Sequence, residues 1–288
     1  MTTHGVGSGV RRPGVRAAIV CALAAVLLTG CAQSVDPIER MGRKAAQKVR
    51  RPEPPPAAAG APAPDVHRRW GLAAPLAPAP RPHRALAARA PGRVPPVIDH
   101  VPTRDKVVFL TFDDGAERDP RFVDMVRELR LPISMFLADS AAGAGYDHFG
   151  RLRRLGAQVE NHTLTHRFLP GRGYVDQHAE ICGQQTRLKS RFGTAPRLFR
   201  PPYGNYDADT LRAAGDCGID AIVLWRASMQ INDLRYADGD RLRPGDIILA
   251  HFRGPAELKG TTLTEMTSRM LRRVQEQGFT VARLEDYV

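Results

Sequence analysis

From residue 105 to the end of the chain, short apolar runs alternate with amphipathic segments. The runs predict strands over residues 106–112, 133–137, 157–160, 198–199, 221–225, 246–250 and 279–282. The amphipathic segments predict helices over residues 120–130, 148–155, 176–192, 207–214 and 263–277. This alternation indicates an α/β fold with a parallel sheet, either open or closed into a (β/α) barrel.

Polar clusters follow four of these strands: Asp113-Asp114-Gly115, Asn161 to His166, Arg200 to Gly204, and His251. Each cluster alone has an ordinary structural interpretation, since Asp-Gly is typical of turns and paired histidines are usually solvated or packed in a core. In parallel α/β folds, however, the chemistry takes place at the C-terminal ends of strands. Four clusters at such ends therefore predict a functional site.

The residue types in these clusters indicate a reaction class. Two histidines and one carboxylate that leave a coordination position open are typical of catalytic zinc. A second carboxylate is then free to act as a base, an arginine to orient it, and a further histidine to act as an acid. This combination predicts metal-assisted hydrolysis.

Four segments resemble the signature motifs of the NodB-type polysaccharide deacetylases, carbohydrate esterase family 4: Thr111-Phe112-Asp113-Asp114-Gly115, His162-Thr163-Leu164-Thr165-His166, Arg200-Pro201-Pro202-Tyr203 and Leu249-Ala250-His251. The resemblance covers residues 105–288 and keeps the order and spacing of the motifs. It implies a distorted (β/α) barrel of the NodB type that removes N-acetyl groups from a glycan.

The resemblance also implies roles for individual residues. Asp114, His162 and His166 would bind a divalent metal, with zinc first and cobalt or nickel as alternatives. Asp113 would be the general base, and His251 would protonate the leaving amine. The same motifs supply the supporting roles. Arg200 would orient Asp113, and the backbone N–H of Tyr203 would stabilise the oxyanion. Thr163 would brace the loop that carries the two histidines, and Leu249 would line the acetyl pocket.

One segment departs from the family pattern. The family carries an aspartate–tryptophan pair a few residues beyond the strand that here ends at Trp225. This chain instead has residues 226–233 there, and no tryptophan follows Asp233. Asp233 is a candidate for tuning the pKa of His251, with a position on the loop surface as the alternative that its shifted spacing favours. For Trp225, simple core packing is the alternative to a functional role.

Charge and composition set the first hundred residues apart. The net charge is +12, to which residues 1–100 contribute +10 and residues 101–288 only +2. The folded part is nearly neutral, so we expect no nucleic-acid partner. Thirteen of the 24 prolines lie between Pro52 and Pro96, and residues 31–100 are predicted to be an extended, disordered tether ahead of the domain at 101–288.

Residues 1–30 are predicted to be an export signal. Three arginines precede a twelve-residue apolar run, which is shorter than the roughly 20 residues that a membrane-spanning helix needs. The run ends in Leu28-Thr29-Gly30-Cys31, which resembles the lipobox of bacterial lipoproteins and implies lipidation at Cys31. A plain secretory signal is the alternative.

Together these features predict an extracytoplasmic, monomeric deacetylase that is anchored to the cell membrane and acts on an N-acetylated envelope glycan. Two alternatives stay open: a deacylase of another amide or of an O-acyl sugar, and a non-catalytic glycan-binding lipoprotein. Export also permits a disulfide between Cys182 and Cys217, with two buried free thiols as the alternative.

Overall fold

The computed structural model describes residues 65–82 and 94–288. One sheet in these ranges contains ten strands: β1 (Val97–Ile98), β2 (Val107–Asp114), β3 (Ile133–Leu137), β4 (Gln158–Asn161), β5 (Leu198–Phe199), β6 (Ala221–Val223), β7 (Ala227–Met229), β8 (Leu234–Tyr236), β9 (Ile247–His251) and β10 (Thr280–Ala282). Their spatial order is β1-β6-β5-β4-β3-β2-β9-β7-β8, with β10 paired to β2. All strand pairs are parallel except the β7–β8 hairpin.

Helices follow most of the strands. They are α1 (Val66–Arg69), α2 (Pro120–Leu129), α3 (Asp139–Ala142), α4 (Tyr146–Arg154), α5 (Tyr174–Phe192), α6 (Ala208–Asp216) and α7 (Leu263–Glu276), with 3₁₀ turns at Gly143–Gly145, Pro202–Gly204 and Leu284–Asp286. Capping boxes at Asp207 and Thr262 fix the starts of α6 and α7. This α/β half-barrel confirms the predicted fold class.

A cluster of phenylalanines anchors the two central strands. Phe112 of β2 packs edge-on against Phe122 of α2, with ring centroids 5.3 Å apart. Phe252, the residue after β9, lies 5.3 Å from Phe112 and 5.2 Å from Phe149 of α4. Burial of such side chains stabilises a fold by roughly 1.5–3 kcal/mol each. Because side chains alternate along a strand, this packing leaves Asp113 on the opposite face of β2.

Every strand and helix predicted between residues 106 and 282 is present, with bounds that shift by a few residues. The largest difference follows Trp225. The strand predicted over residues 221–225 ends at Val223, and residues 227–236 form the unpredicted hairpin β7–β8. β7 pairs in parallel with β9, so this segment extends the sheet instead of forming a loop.

The structure corrects the predicted extent of the tether. Residues 65–82 lie on the domain, where Trp70 is 6% exposed and its indole Nε1–H donates to Glu128 Oε2 at 2.8 Å. Leu72 is buried in the same core cluster, and Val97–Ile98 pairs with β6. A few apolar side chains bind this stretch to the domain although it shows no apolar periodicity.

The predicted signal at residues 1–30, Cys31 and the rest of the tether lie outside the described residues. Within residues 65–82 and 94–288, no helix combines the length and apolarity that crossing a bilayer requires.

A disulfide joins α5 to the end of α6. Cys182 lies on α5 and Cys217 directly follows α6, and their Cα atoms are 5.0 Å apart. The predicted bridge is therefore confirmed.

Candidate active site

The sheet brings the four polar clusters to one edge. Asp113 at the end of β2 pairs in register with His251 at the end of β9. On the other side of β2, Asp114 pairs with Leu137 of β3. The metal loop (residues 162–166) follows β4, and the arginine loop (residues 200–204) follows β5. The two loops start next to each other because Asn161 pairs with Phe199. Parallel pairing thus collects these side chains at the C-terminal ends of the strands.

Three of these side chains could hold a metal ion. The ligand atoms of Asp114, His162 and His166 all lie within 4.8 Å of one another. Asp114 Oδ1 is 3.6 Å from His162 Nε2 and 3.3 Å from His166 Nε2. This oxygen is buried and has no hydrogen-bond partner among the described residues, as expected of an atom whose partner is a cation. One carboxylate oxygen and two imidazole nitrogens suit zinc.

The orientation of His162 supports the same assignment. Its Nδ1 is 2.7 Å from the carbonyl oxygen of Arg200, which accepts the ring N–H and directs Nε2 toward Asp114. Burial lowers the pKa of His162 to about 3, while the nearby Asp114 opposes that shift. The imidazole is therefore neutral at pH 7, which is the form that binds metals.

The metal loop is held by hydrogen bonds within itself and to α5. Asn161 accepts from the Thr163 N–H at 2.9 Å and donates to the Ile181 carbonyl at 2.9 Å, and the Thr163 hydroxyl accepts from the His166 N–H at 3.0 Å. Thr163 and His166 both adopt left-handed backbone angles, with φ of 70° and 56°. Such strain persists only where the surroundings fix it. Thr163 thus braces the loop, as the resemblance implies.

Arg200 is fully buried, and all three of its guanidinium nitrogens are engaged. Nη1 donates to Asp113 Oδ1 at 2.6 Å and to Thr111 Oγ1 at 2.9 Å. Nε and Nη2 donate to the carbonyls of Val223 and Leu224. The guanidinium therefore has one position, and it fixes the orientation of Asp113.

Asp113 lies beside the metal cluster, with Oδ2 3.7 Å from His162 Nε2. Its side chain is buried, and burial raises its pKa, while the charge of Arg200 opposes the rise. A carboxylate with a raised pKa is a stronger base than an exposed one. The position and the environment of Asp113 both suit a general base.

His251 lies across the site on β9. Burial lowers its pKa to about 4, and the Asp113 carboxylate opposes this shift. Leu249 is 5% exposed and lies two residues earlier on the same face of the strand. The two residues predicted as acid and pocket wall are therefore neighbours.

Tyr203 forms the opposite rim. It lies in the 3₁₀ turn Pro202–Gly204 with a left-handed φ of 61°, and its ring centroid is 4.9 Å from that of His166. Gly204 has φ of 73°, and a Cβ there would lie 2.8 Å from the Trp225 ring. Trp225 packs against the core, and its ring lies 5.6 Å from the Arg200 guanidinium. Its contacts with Arg200 and Gly204 therefore help to hold the arginine loop in place.

Asp233 does not partner His251, and the alternative position on the surface is the one that the structure shows. Its side chain is 71% exposed and lies 3.7 Å from Arg273 of α7. Asp233 lies in the turn between β7 and β8, where its side chain faces solvent and Arg273 instead of His251.

One residue beside the site was missed by the sequence analysis. Phe168 is 49% exposed, and its ring centroid lies 6.5 Å from that of Tyr203. The next residue, Leu169, is fully buried and anchors the loop. An aromatic residue two positions after His166 was the available signal, but the sequence alone does not show which of the two apolar neighbours faces solvent.

Residues 100–222 match the family model described as polysaccharide deacetylase. An uncharacterized protein of Streptomyces coelicolor is 52% identical over 221 residues, which cover 74% of this chain and 88% of that protein. A chitooligosaccharide deacetylase of Sinorhizobium fredii is 28% identical over 194 residues, which cover 62% of this chain and 89% of that protein.

A solved structure has the same fold. The family 4 carbohydrate esterase from Streptomyces lividans, in complex with acetate, superimposes with a TM-score of 0.52 at 23% identity. The match covers 63% of this chain and 94% of the esterase. At this identity the likeness shows the fold alone.

Proposed function

The chain belongs to the polysaccharide deacetylase family, and we propose that it removes acetyl groups from a cell-envelope glycan with the help of a divalent metal ion. Members of this family hydrolyse N-acetyl amide bonds, so the protein is a hydrolase of carbon–nitrogen bonds other than peptide bonds. The observation that carries the metal proposal is the unpartnered Asp114 oxygen that faces two imidazole nitrogens.

The base half of the reaction follows from the buried ion pair. A divalent ion, most simply zinc, held by Asp114, His162 and His166 would polarise the acetyl carbonyl and acidify water in the site. Asp113 Oδ2 takes a proton from the attacking water, while Oδ1 stays bonded to Arg200. The base is thus held in place before substrate arrives, which lowers the cost of reaching the transition state.

The acid half lies on the other side of the site. The Tyr203 N–H donates to the carbonyl oxygen as negative charge develops on it. His251 donates a proton to the leaving nitrogen. Its pKa of about 4 in the free protein must rise for this step, and the negative charge that develops nearby favours the protonated ring. Leu249 contacts the acetyl methyl group.

The exposed rings of Tyr203 and Phe168 support a sugar substrate. The Tyr203 ring lies 4.9 Å from the ring of His166, and the Phe168 ring lies 6.5 Å from that of Tyr203. Aromatic faces offer large apolar contact area at little conformational cost, and the apolar face of a pyranose ring fits such a surface. The Sinorhizobium relative is named for deacetylation of chitooligosaccharides, which supports N-acetylglucosamine units here.

The envelope location is proposed from the predicted export signal and lipidation at Cys31. The Cys182–Cys217 disulfide supports export, because disulfides persist in oxidising compartments. We expect Cys31→Ser to release the protein from membranes at high salt, because salt screens the electrostatic attraction of the basic residues in the predicted tether at 31–100. Continued sedimentation of that variant with membranes would contradict the anchor.

The function is tested by acetate release from N-acetylglucosamine oligomers and from purified wall glycan. We expect acetate and free amino groups to appear in equal amounts. Acetate release from O-acetyl sugars only would favour a deacylase of another class. Oligomer binding without any acetate release would indicate a glycan-binding protein.

A further inference from the structure

A basic groove lies between α4 and α5, outside the candidate active site. Two adjoining clefts of about 790 and 350 Å³ form it, and Tyr146 and Arg191 line both. We call it the α4–α5 groove. Its charged lining consists of Arg151, Arg153, Arg154, Arg187 and Arg191, with Asp139 and Asp147.

Positive charge is concentrated in this groove. Five arginines against two aspartates give it a net charge of +3, whereas residues 101–288 as a whole carry only +2. Arg191 pairs with Asp147 at 2.5 Å, and Arg187 lies 3.4 Å from Asp139. The other three arginines have no carboxylate within ion-pair distance among the described residues.

The chemistry of the lining favours oxyacid groups. Guanidinium groups present planar pairs of N–H donors that match carboxylate and phosphate oxygens. The hydroxyls of Thr186 and Ser190 line the same groove and add neutral donors. Because the two clefts adjoin, this concave surface fits an extended anionic chain better than the flat surface of a membrane.

The groove starts beside the metal loop. The Asp139 N–H donates to the Thr163 carbonyl at 3.3 Å, and the Ser140 N–H donates to the Leu164 carbonyl at 2.8 Å. Asp139 itself lines the groove. The groove and the loop that carries His162 and His166 are therefore neighbours at Asp139, so we expect one polymer chain to reach both.

We propose that the α4–α5 groove binds carboxylate or phosphate groups carried by the glycan that this protein deacetylates. This inference rests on the proposed function and narrows its substrate class to acidic N-acetylated polymers.

The test compares two soluble N-acetylated polymers, the anionic carboxymethyl chitin and the neutral glycol chitin. The groove variant replaces Arg151, Arg153 and Arg154 with glutamine. The matched control replaces the exposed Arg235, Arg241 and Arg243, which lie near the β8 edge of the sheet, with glutamine. KM and kcat are measured for both polymers at low salt and in 0.5 M NaCl.

We expect the wild type and the control to have a KM for carboxymethyl chitin about tenfold lower than the groove variant, since three exposed charge contacts contribute roughly twofold each. We expect kcat to be unchanged and the advantage to disappear in high salt. Equal KM values for the groove variant and the wild type on carboxymethyl chitin would overturn the proposal. Activity on glycol chitin separates this outcome from failure of the proposed function, which would abolish acetate release from both polymers.

Two further arms identify the source of the anionic groups. Inorganic polyphosphate should compete with carboxymethyl chitin in the wild type but not in the groove variant. If polyphosphate binds the groove but carboxymethyl chitin gains no KM advantage, the anions belong to a separate polymer and the substrate proposal fails. Loss of binding to phosphatidylglycerol vesicles in the groove variant, without any polymer effect, would overturn the proposal in favour of a membrane surface.

Discussion

Two buried carboxylate clusters in this domain differ in what surrounds them. At the strand ends, Asp113 bonds to the fully buried Arg200 and stands beside imidazole nitrogens. Where β4 meets the 3₁₀ turn Leu284–Asp286, Glu160 and Glu285 interact with each other, and no guanidinium among the described residues is bonded to either. Glu160 accepts two backbone N–H groups, and Glu285 accepts the Ser134 hydroxyl at 2.6 Å. The second oxygen of Glu285 has no hydrogen-bond partner among the described residues.

The difference separates a reactive carboxylate from a structural one. Burial raises the pKa of all three groups, but only Asp113 has a bonded cation that favours its ionised form. Burial raises the pKa of Glu285 to about 7, and burial together with the nearby charge of Glu285 raises the pKa of Glu160, so the pair retains a proton. Asp113 can therefore accept a proton from water, whereas the Glu160–Glu285 pair keeps a proton because two buried negative charges would be unfavourable.

The largest effect is expected for Asp113→Asn. The amide keeps the shape of the side chain but cannot accept the proton, so kcat should fall by roughly 10²–10⁴-fold. Bound metal should stay at the wild-type level, because the carboxylate ligand is Asp114. Acetate release and elemental analysis of one sample measure both. A near-normal kcat would show that Asp113 has only a structural role.

Arg200→Met is expected to destabilise the fold by about 3–5 kcal/mol, since it leaves the Asp113 charge buried without its partner. Urea unfolding at pH 7 measures this loss. The double variant Arg200→Met/Asp113→Leu should recover part of it, because no uncompensated charge remains. Losses that simply add would mean that the ion pair is not the reason for the sensitivity.

Glu285→Gln should change the pH dependence of stability. The pKa of Glu285 is about 7 in the folded state and near 4.5 when unfolded, so the stability it contributes is present below pH 4.5 and lost as pH rises through 7. The variant should therefore lose less stability than wild type between pH 5 and 8, by up to an amount on the order of 3 kcal/mol. Identical pH profiles for the variant and wild type would contradict the buried proton, and Glu276→Gln is the exposed control.

The smallest effect is expected for Asp233→Asn. Its carboxylate is exposed and paired at 3.7 Å with an exposed arginine, an arrangement worth at most about 1 kcal/mol. The pH profile of kcat/KM should keep its alkaline limb. A shift of that limb to lower pH would revive Asp233 as the partner of His251.

Local chemistry made the site predictable. Asp113 and Asp114 follow a short, β-rich apolar run, the two metal-loop histidines follow the next-but-one strand of the α/β alternation, and parallel pairing brings the ends of these strands together. The helices were equally clear, because their apolar spacing and closing glycines are local signals.

Tertiary contacts decide what the sequence could not show. The strands β7 and β8 have three residues each and gain their stability from β9, so the sequence alone left the position of Asp233 open. Trp70 is held by α2 and α7, far along the chain, within a segment of disordered composition. Glu285 stands in a polar stretch near the C-terminus, and only the fold buries it.

The most direct test of the account is the metal content of His166→Ala beside wild type, with acetate release measured on the same samples before and after chelation and zinc addition. We predict one divalent ion per wild-type chain, a large loss of metal from the variant, and activity that follows the metal. Asp233→Asn serves as the matched control and should keep both. Full metal occupancy in His166→Ala, or acetate release that chelation leaves unchanged, would contradict the claim that Asp114, His162 and His166 hold the ion on which deacetylation depends.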